Sequence, residues 1–229
     1  MATCTYEGET YECSLAEKYV LPAFEALDAT ALAGGVKSAV AVVPWAGAFH
    51  LIGIAMLGAV IFAVDMRALG YGITSRGTAQ LRREVRPLLA LGLLVTVASG
   101  VTLALGELMK IYYSPLYWVK MAGLAGLLFF VPTLHARAMR GERVGAVAAL
   151  VGALGVAIWV GALIATASPL AWGALALLAM ALAGLAGYGR RKQRRANMPL
   201  PSRAAVAVGM LSMGMWLSTA TAGRWIAFY

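Results

Sequence analysis

The feature that most constrains this chain is a series of unbroken apolar runs, each about 20 residues long. An α-helix rises 1.5 Å per residue, so about 20 apolar residues are enough to cross a hydrocarbon layer of about 30 Å. Composition agrees, since 61% of the residues are hydrophobic and 13% are charged, against about 25% charged in an ordinary soluble domain. The sequence therefore excludes a water-soluble globule and predicts a multi-pass membrane protein.

The boundaries of the runs predict an all-α membrane bundle of six spanning helices. The expected spans are Val42–Val64, Pro87–Glu107, Leu116–His135, Val144–Ala167, Leu170–Tyr188 and Ala204–Ala227. We expect two regions in the chain. Residues 1–38 form an extracytoplasmic N-terminal tail, and residues 39–229 form the six-helix transmembrane domain.

The distribution of positive charge predicts the orientation of the bundle. Fourteen of the 19 Lys and Arg residues fall in the loops after spans one, three and five, all on one side of the membrane. The opposite side holds the remaining basic residues and an acidic N-terminal tail. By the positive-inside rule the three basic loops are cytoplasmic and both termini are outside, as expected for a bacterial inner-membrane protein.

The N-terminal tail contains both cysteines of the chain, Cys4 and Cys13. Because the tail is predicted to face an oxidising compartment, we expect a disulfide between them. Farther along, Leu15–Leu32 has apolar residues at helical spacing with charged residues between them. This pattern predicts a helix that lies in the outer membrane interface or packs on a partner subunit.

The two histidines are the first candidates for chemistry, because ionisable side chains inside a membrane are costly and tend to be functional. By helical rise, His50 lies about 9 Å below the outer edge on span one, and His135 about 28 Å below it on span three. Two axial nitrogens on one iron lie about 4 Å apart, so we expect these histidines not to share a metal within one chain. We expect His135, beside Arg137, to face water or headgroups.

A second candidate ligand, Met121 on span three, lies about 7.5 Å below the outer edge and so near the depth of His50. A His50–Met121 pair predicts a site for haem b or for copper, since Cu(I) prefers soft sulfur ligands. Lys120 and Arg224 would lie near the outer surface, placed to bind haem propionates, a quinone headgroup or a carboxylate. The alternatives are that His50 is a hydrogen-bonded packing residue and that Lys120 extends to the lipid headgroups.

Other reaction classes lack their sequence motifs. The chain has no Walker loop, no His-Glu-x-x-His pair, no Gly-x-Ser-x-Gly elbow and no dinucleotide fingerprint. An ion-coupled transporter usually needs a buried carboxylate, whereas Asp65 and Glu107 lie at the ends of the predicted spans. The sequence therefore predicts no machinery for proton-coupled transport, although a transporter without a cofactor is left open.

Four short motifs resemble a group of bacterial inner-membrane proteins that are distantly similar to the copper resistance protein D family. They are Pro44-Trp45-x-x-x-x-His50-x-x-Gly53, Asp65-x-Arg67-x-x-Gly70, Trp118-x-Lys120-Met121 and Ala222-Gly223-Arg224-Trp225-Ile226. The resemblance covers spans one to three and the last span. It implies copper handling or a redox metal at the outer face, with His50 as a candidate ligand.

Three functional hypotheses follow from the sequence. The first is a redox or metal protein at the outer face, either a mono-haem b electron carrier exchanging electrons with quinone or a copper-handling protein. The second is a transporter without a bound cofactor. The third is a structural or assembly subunit of a larger membrane complex, whose tail contacts membrane or periplasmic partners. A non-catalytic subunit or an electron-transfer or metal-handling protein is favoured over an enzyme, and no nucleic-acid partner is expected.

Overall fold

The computed structural model describes residues 3–6, 9–12, 15–73, 75–166, 169–195 and 202–226. Its helices are, in chain order, α1 (Leu15–Tyr19), α2 (Leu21–Asp28), α3 (Ala31–Ser38), α4 (Val42–Leu69), α5 (Thr78–Glu84), α6 (Arg86–Gly106), α7 (Leu108–Tyr113), α8 (Pro115–Phe130), α9 (Ala136–Arg140), α10 (Ala146–Thr166), α11 (Pro169–Arg195) and α12 (Arg203–Trp225). A single turn of π-helix, Val131–His135, joins α8 to α9. The prediction of a helical membrane fold is confirmed in these ranges.

Five helical segments of the described chain are long and apolar enough to cross a membrane. They are Val42–Leu69, Arg86–Gly106, Pro115–Arg140, Ala146–Ala165 and Arg203–Arg224. The third of these joins α8, the π turn and α9 into one segment. This confirms the multi-pass membrane class. The remaining predicted span, Leu170–Tyr188, falls in α11, which is not among the five, so six spans stay a prediction.

The tail begins with two short strands, β1 (Thr3–Tyr6) and β2 (Glu9–Glu12), which pair antiparallel. This strand pair adds to the helical fold that the sequence predicts. Cys4 lies in β1 opposite Tyr11, whereas Cys13 lies outside the described residues. The disulfide between the two cysteines therefore stays a prediction.

The chain forms two compact units, and the first comprises Met1–Ile52 and Leu94–Ser114. In this unit α2 packs against α7, and the rings of Phe24 and Tyr112 lie 5.4 Å apart between centroids. The predicted helix at Leu15–Leu32 is divided among α1, α2 and the start of α3. The tail helices therefore have an apolar partner within their own unit.

The second unit comprises Gly53–Leu93 and Pro115–Tyr229, and its core lies among α8, α10 and α12. Gly126 and Gly155 allow α8 and α10 to approach closely, because a Cβ on either residue would lie 2.5–2.6 Å from the other's carbonyl oxygen. Such small-residue contacts are typical of packing between membrane helices. Phe130 and Met215 fill the core with no exposed surface. This close packing provides the frame for the polar groups described next.

Candidate functional site

A carboxylate lies buried inside the second unit. Helix α4 continues past the predicted span end at Val64 to Leu69, and Gly70 ends it in a left-handed conformation with φ of +97°. Asp65 is therefore inside the helix, with no exposed surface. The expectation that Asp65 merely borders the first span is wrong, because the apolar run ends before the helix does.

His135 lies at the end of the π turn and faces this carboxylate. Its Nε2 is 2.7 Å from Asp65 Oδ1, and the residue is 6% exposed. Pro132 has no N–H to continue the α-helical pattern, and Thr133 Oγ1 donates to the carbonyl of Phe129 in the widened turn. The expectation that His135 faces water or headgroups is wrong, because its side chain turns into the bundle.

Arg82 lies on the other side of the His135 ring. Its Nη1 is 3.3 Å from His135 Nδ1. Helix α5, which carries Arg82, is held in place by buried Leu81 and by a hydrogen bond of 2.9 Å from Thr78 Oγ1 to the carbonyl of Met139. Burial lowers the pKa of the Arg82 guanidinium from its ordinary value, and the like charge of Arg140 lowers it further. These contacts bring a partly buried cation to the buried pair.

The three side chains define where the proton of His135 lies. A guanidinium can only donate, so Nδ1 must accept from Arg82. The ring proton is then on Nε2 and is donated to Asp65 Oδ1. The contact with Arg82 therefore selects the Nε2–H tautomer of a neutral His135 ring.

Two buried oxygens of this cluster, Asp65 Oδ2 and Ser212 Oγ, make no hydrogen bond of good geometry in the described part of the chain, although the Ser212 hydroxyl interacts with the Asp65 carboxyl. Ser212, on α12, is 1% exposed. Leaving a buried polar atom without a partner costs about 1–3 kcal/mol, so such atoms commonly bind water or a ligand. Ser212 also lines a cavity of about 340 Å³, together with His135 and Arg82. The buried pair therefore adjoins a partly open cavity that has a buried hydroxyl in its wall.

His50, in the first unit, makes a different set of contacts. Its Nδ1 lies 3.0 Å from the carbonyl of Thr96 and 3.1 Å from Ser99 Oγ, both on α6. Because a carbonyl only accepts, Nδ1 carries the proton and Nε2 carries the lone pair. Gly100 makes room for the ring, since a Cβ there would lie 3.0 Å from His50 Cε1. His50 is 9% exposed and joins α4 to α6.

The other predicted site residues lie in the second unit. Lys120 is half-buried on α8, and its aliphatic stem passes Gly223, where a Cβ would lie 3.2 Å from Lys120 Cδ. Arg224 follows Gly223 and is exposed. Lys120 therefore lies beside Gly223, and its predicted position at the outer surface with Arg224 stays a prediction. Met121 is half-buried and belongs to a different unit from His50, so their pairing stays a prediction.

A metal centre built from three or more His, Cys, Asp or Glu side chains is not present among the described residues. That search does not cover a His–Met pair, so it leaves haem or copper at His50 untested. Comparisons with models of known families, with curated proteins and with solved structures give no match. The resemblance to the copper resistance protein D family therefore stays a prediction.

The principal residues that the sequence interpretation missed are Asp65, His135, Arg82 and Ser212. Two signals were present. Asp65 is followed by Met66 and by Ala68-Leu69, so the apolar run resumes after the charge. Pro132 lies inside the third run, where a helix must depart from regular geometry. A carboxylate and a histidine near these two irregularities were candidates for a shared site.

Proposed function

We propose that this chain is a cofactor-free, proton-coupled membrane transporter whose proton site is the Asp65–His135 pair. The observation that carries the proposal is the hydrogen bond of 2.7 Å between the two side chains, both buried in a chain built from membrane helices. Ionisable residues in such positions are costly and mark proton relays in pumps and transporters. The pair supplies the buried carboxylate that the apolar pattern alone did not predict.

The contacts of the pair support a simple sequence of proton steps. His135 holds a proton on Nε2 and donates it to Asp65, while Arg82 occupies Nδ1. When Arg82 moves toward a ligand in the cavity, Nδ1 becomes able to accept a second proton. The charged groups on the cavity side of the pair are Arg82, Arg83, Arg86 and Arg140, all of which line the same cavity. Ligand and proton uptake are thereby coupled through one guanidinium.

The test uses the full chain in vesicles that contain a pH-sensitive dye. The vesicles are made from a total lipid extract of the host cells, so that amphiphilic ligands for the cavity are present. An imposed inside-negative potential should then drive proton entry in wild-type vesicles, and Asp65→Asn should reduce the rate to that of empty vesicles. Glu107→Gln is the matched control, because Glu107 is a half-exposed carboxylate paired with Lys110 at 3.5 Å. Equal rates for wild type and Asp65→Asn would refute the proposal.

The finer topology belongs to the same proposal: six spans in the bacterial inner membrane, with both termini outside and the arginine-rich loops in the cytoplasm. The asymmetry of basic residues supports it. In a chain with both native cysteines changed to Ser, a cysteine at Arg76 should be labelled only after the cells are permeabilised. Labelling in intact cells would reverse the orientation.

A second candidate function is the redox or metal role at His50, and one contact favours it. Metal-ligating histidines usually donate their other ring N–H to a carbonyl, as His50 Nδ1 does to Thr96. If His50 binds haem b or copper, the purified protein should show a Soret band or stoichiometric copper. His50→Ala should then abolish that signal, Met121→Ala should weaken it, and His135→Ala should leave it unchanged. A wild-type protein with neither signal would exclude this function.

The remaining roles have less support and are kept as proposals. A quinone headgroup at Lys120 and Arg224 fits the positive charge of that pair, and a structural subunit fits the tail of the first unit. Purification of the intact chain in mild detergent should recover a partner protein in fixed ratio if the tail serves assembly. Recovery of the chain alone would count against that role.

A further inference from the structure

The cavity of about 340 Å³ beside His135 has two kinds of wall. Apolar side chains from α4, α6 and the π turn form one part, including Val60, Ile61, Leu89 and Val131. Arginines from α5, from the start of α6 and from the end of α9 form the other part. A space with an apolar wall and a cationic wall matches an amphiphile better than a fully hydrated ion.

The charges around the cavity do not balance. Arg82, Arg83 and Arg86 form no ion pair with a carboxylate in the described ranges. Arg140, the fourth guanidinium, is already paired with Glu142, with Nε 2.5 Å from Oε1 and Nη2 2.8 Å from Oε2. Arg83 and Arg86, both exposed, are therefore available for an anion, and Arg82 has further N–H donors beyond the one directed at His135.

Two further features make this a formed site rather than a surface cluster of charge. Ser212 Oγ lines the cavity and is buried, and although it lies against the Asp65 carboxyl it makes no hydrogen bond of good geometry among the described residues. Arg82 is half-buried and is held against His135 rather than extended into solvent. An incoming oxygen would satisfy the hydroxyl and pair with guanidinium groups that planar, bidentate hydrogen bonding suits to phosphate.

We infer that this cavity binds the phosphate group of an anionic phospholipid, with the phosphate at Arg82, Arg83 and Arg86 and an acyl chain along the apolar wall. A phosphodiester has the acceptor oxygens for more than one guanidinium, and its charge offsets the excess positive charge. Basic pockets between membrane helices are recognised sites for anionic lipid headgroups. Free phosphate could pair with the same arginines, but it has no acyl chain to contact the apolar wall.

The inference deepens the proposed function and rests on it in one respect, since it takes the Asp65–His135 pair as the proton site. A lipid phosphate that pairs with Arg82 would draw the guanidinium from His135 Nδ1. The lipid therefore would set whether Nδ1 accepts a proton. The bound lipid is either the transported amphiphile or a resident activator, and both roles use the same phosphate contacts.

The binding experiment uses the full chain in an uncharged detergent, with the midpoint of thermal unfolding as readout. The probes are a short-chain phosphatidylglycerol, the phosphatidylcholine of the same chain length, and inorganic phosphate. The phosphatidylglycerol should bind about tenfold more tightly than the other two, as expected from one or two charge-assisted hydrogen bonds. Arg82→Gln and Arg86→Gln should each weaken that binding about tenfold.

The matched control is Arg191→Gln, which removes the same charge from an exposed position on α11 that does not line the cavity. It should leave lipid affinity within about twofold of wild type, because Arg191 lies outside the cavity lining, whereas Arg86 is also exposed but lines the cavity. Ser212→Ala should weaken binding less than either arginine change. Equal binding of the two lipids, or equal losses in Arg82→Gln and Arg191→Gln, would overturn the inference.

Two other outcomes separate the explanations. If inorganic phosphate binds as tightly as the anionic lipid, the lipid source is wrong. If Asp65→Asn leaves proton entry unchanged while the anionic lipid still binds through Arg82, the proposed transport fails and the lipid site stands. If proton entry depends on Asp65 but no anionic lipid preference exists, the lipid inference alone fails.

Discussion

The two histidines of this chain are both buried, yet their surroundings differ in kind. His50 presents Nδ1 to a carbonyl and a hydroxyl of α6, which are neutral groups. His135 lies between a carboxylate and a guanidinium, Asp65 and Arg82. At His50, Nδ1 faces a carbonyl, which only accepts, so Nδ1 carries the proton. At His135, Nδ1 faces a guanidinium, which only donates, so the proton is on Nε2.

The difference separates two uses of a histidine within a membrane protein. His50 joins two helices through a donor whose partners do not change charge. His135 has a charged group on each side, so moving either group alters what the ring can bind. Burial is common to both histidines, whereas charged partners distinguish His135 from His50.

The largest expected effect comes from removing the charged partner of His135. Asp65→Ala leaves the His135 Nε2–H buried without an acceptor, and we expect a loss of about 3 kcal/mol in the free energy of unfolding. Denaturant titration in detergent measures it. Glu107→Ala removes a half-exposed carboxylate, so its effect should stay within about 0.5 kcal/mol. Equal losses would mean that the buried pair is no stronger than a surface ion pair.

A smaller effect should come from crowding His50. Gly100→Ala places a Cβ 3.0 Å from His50 Cε1, which requires the ring or the helix to move. We expect a loss of about 1–3 kcal/mol, typical of overpacking a core. Gly214→Ala is the control, because a Cβ there meets no atom within 4 Å. A more stable Gly100→Ala protein would show that the ring is loosely held.

The smallest expected effect is on the tautomers of the two histidines, which are measured in the native protein without unfolding it. With ¹⁵N-labelled histidine, NMR should show the proton on Nδ1 in His50 and on Nε2 in His135. Arg82→Leu removes the donor at His135 Nδ1, so the tautomers of His135 should mix while those of His50 stay fixed. The same tautomer at both histidines in the wild type would remove the basis of the comparison.

The helical fold could be predicted from the sequence because each span is an apolar run of the required length. The predicted location of His50 within span one, buried against its neighbour, is also present in the structure. The length of an apolar run does not show how far its helix continues past the first charged residue. That is why the sequence predicts Asp65, one residue past the expected end Val64, only at the border of its span, whereas α4 continues to Leu69.

The site around His135 could not be predicted by residue counting for a second reason. Depth estimates assume regular α-helix, and the segment Val131–His135 is not α-helical. Arg82 comes from a short helix whose position depends on contacts with Val64, Ala68 and Met139, which no local pattern reveals. Sequence periodicity therefore predicted the spans, and tertiary packing determined the polar centre.

The π turn at Val131–His135 sets the direction in which the side chains of α9 point. One additional residue in a turn rotates later side chains by about 100° relative to a regular helical wheel. Met139, which is 2% exposed, and Arg140, which lines the cavity, owe their faces to that rotation. Deleting Leu134 would keep Asp65, His135 and Arg140 in the chain, yet it would turn α9 by about 100° and move Met139 and Arg140 off their present faces.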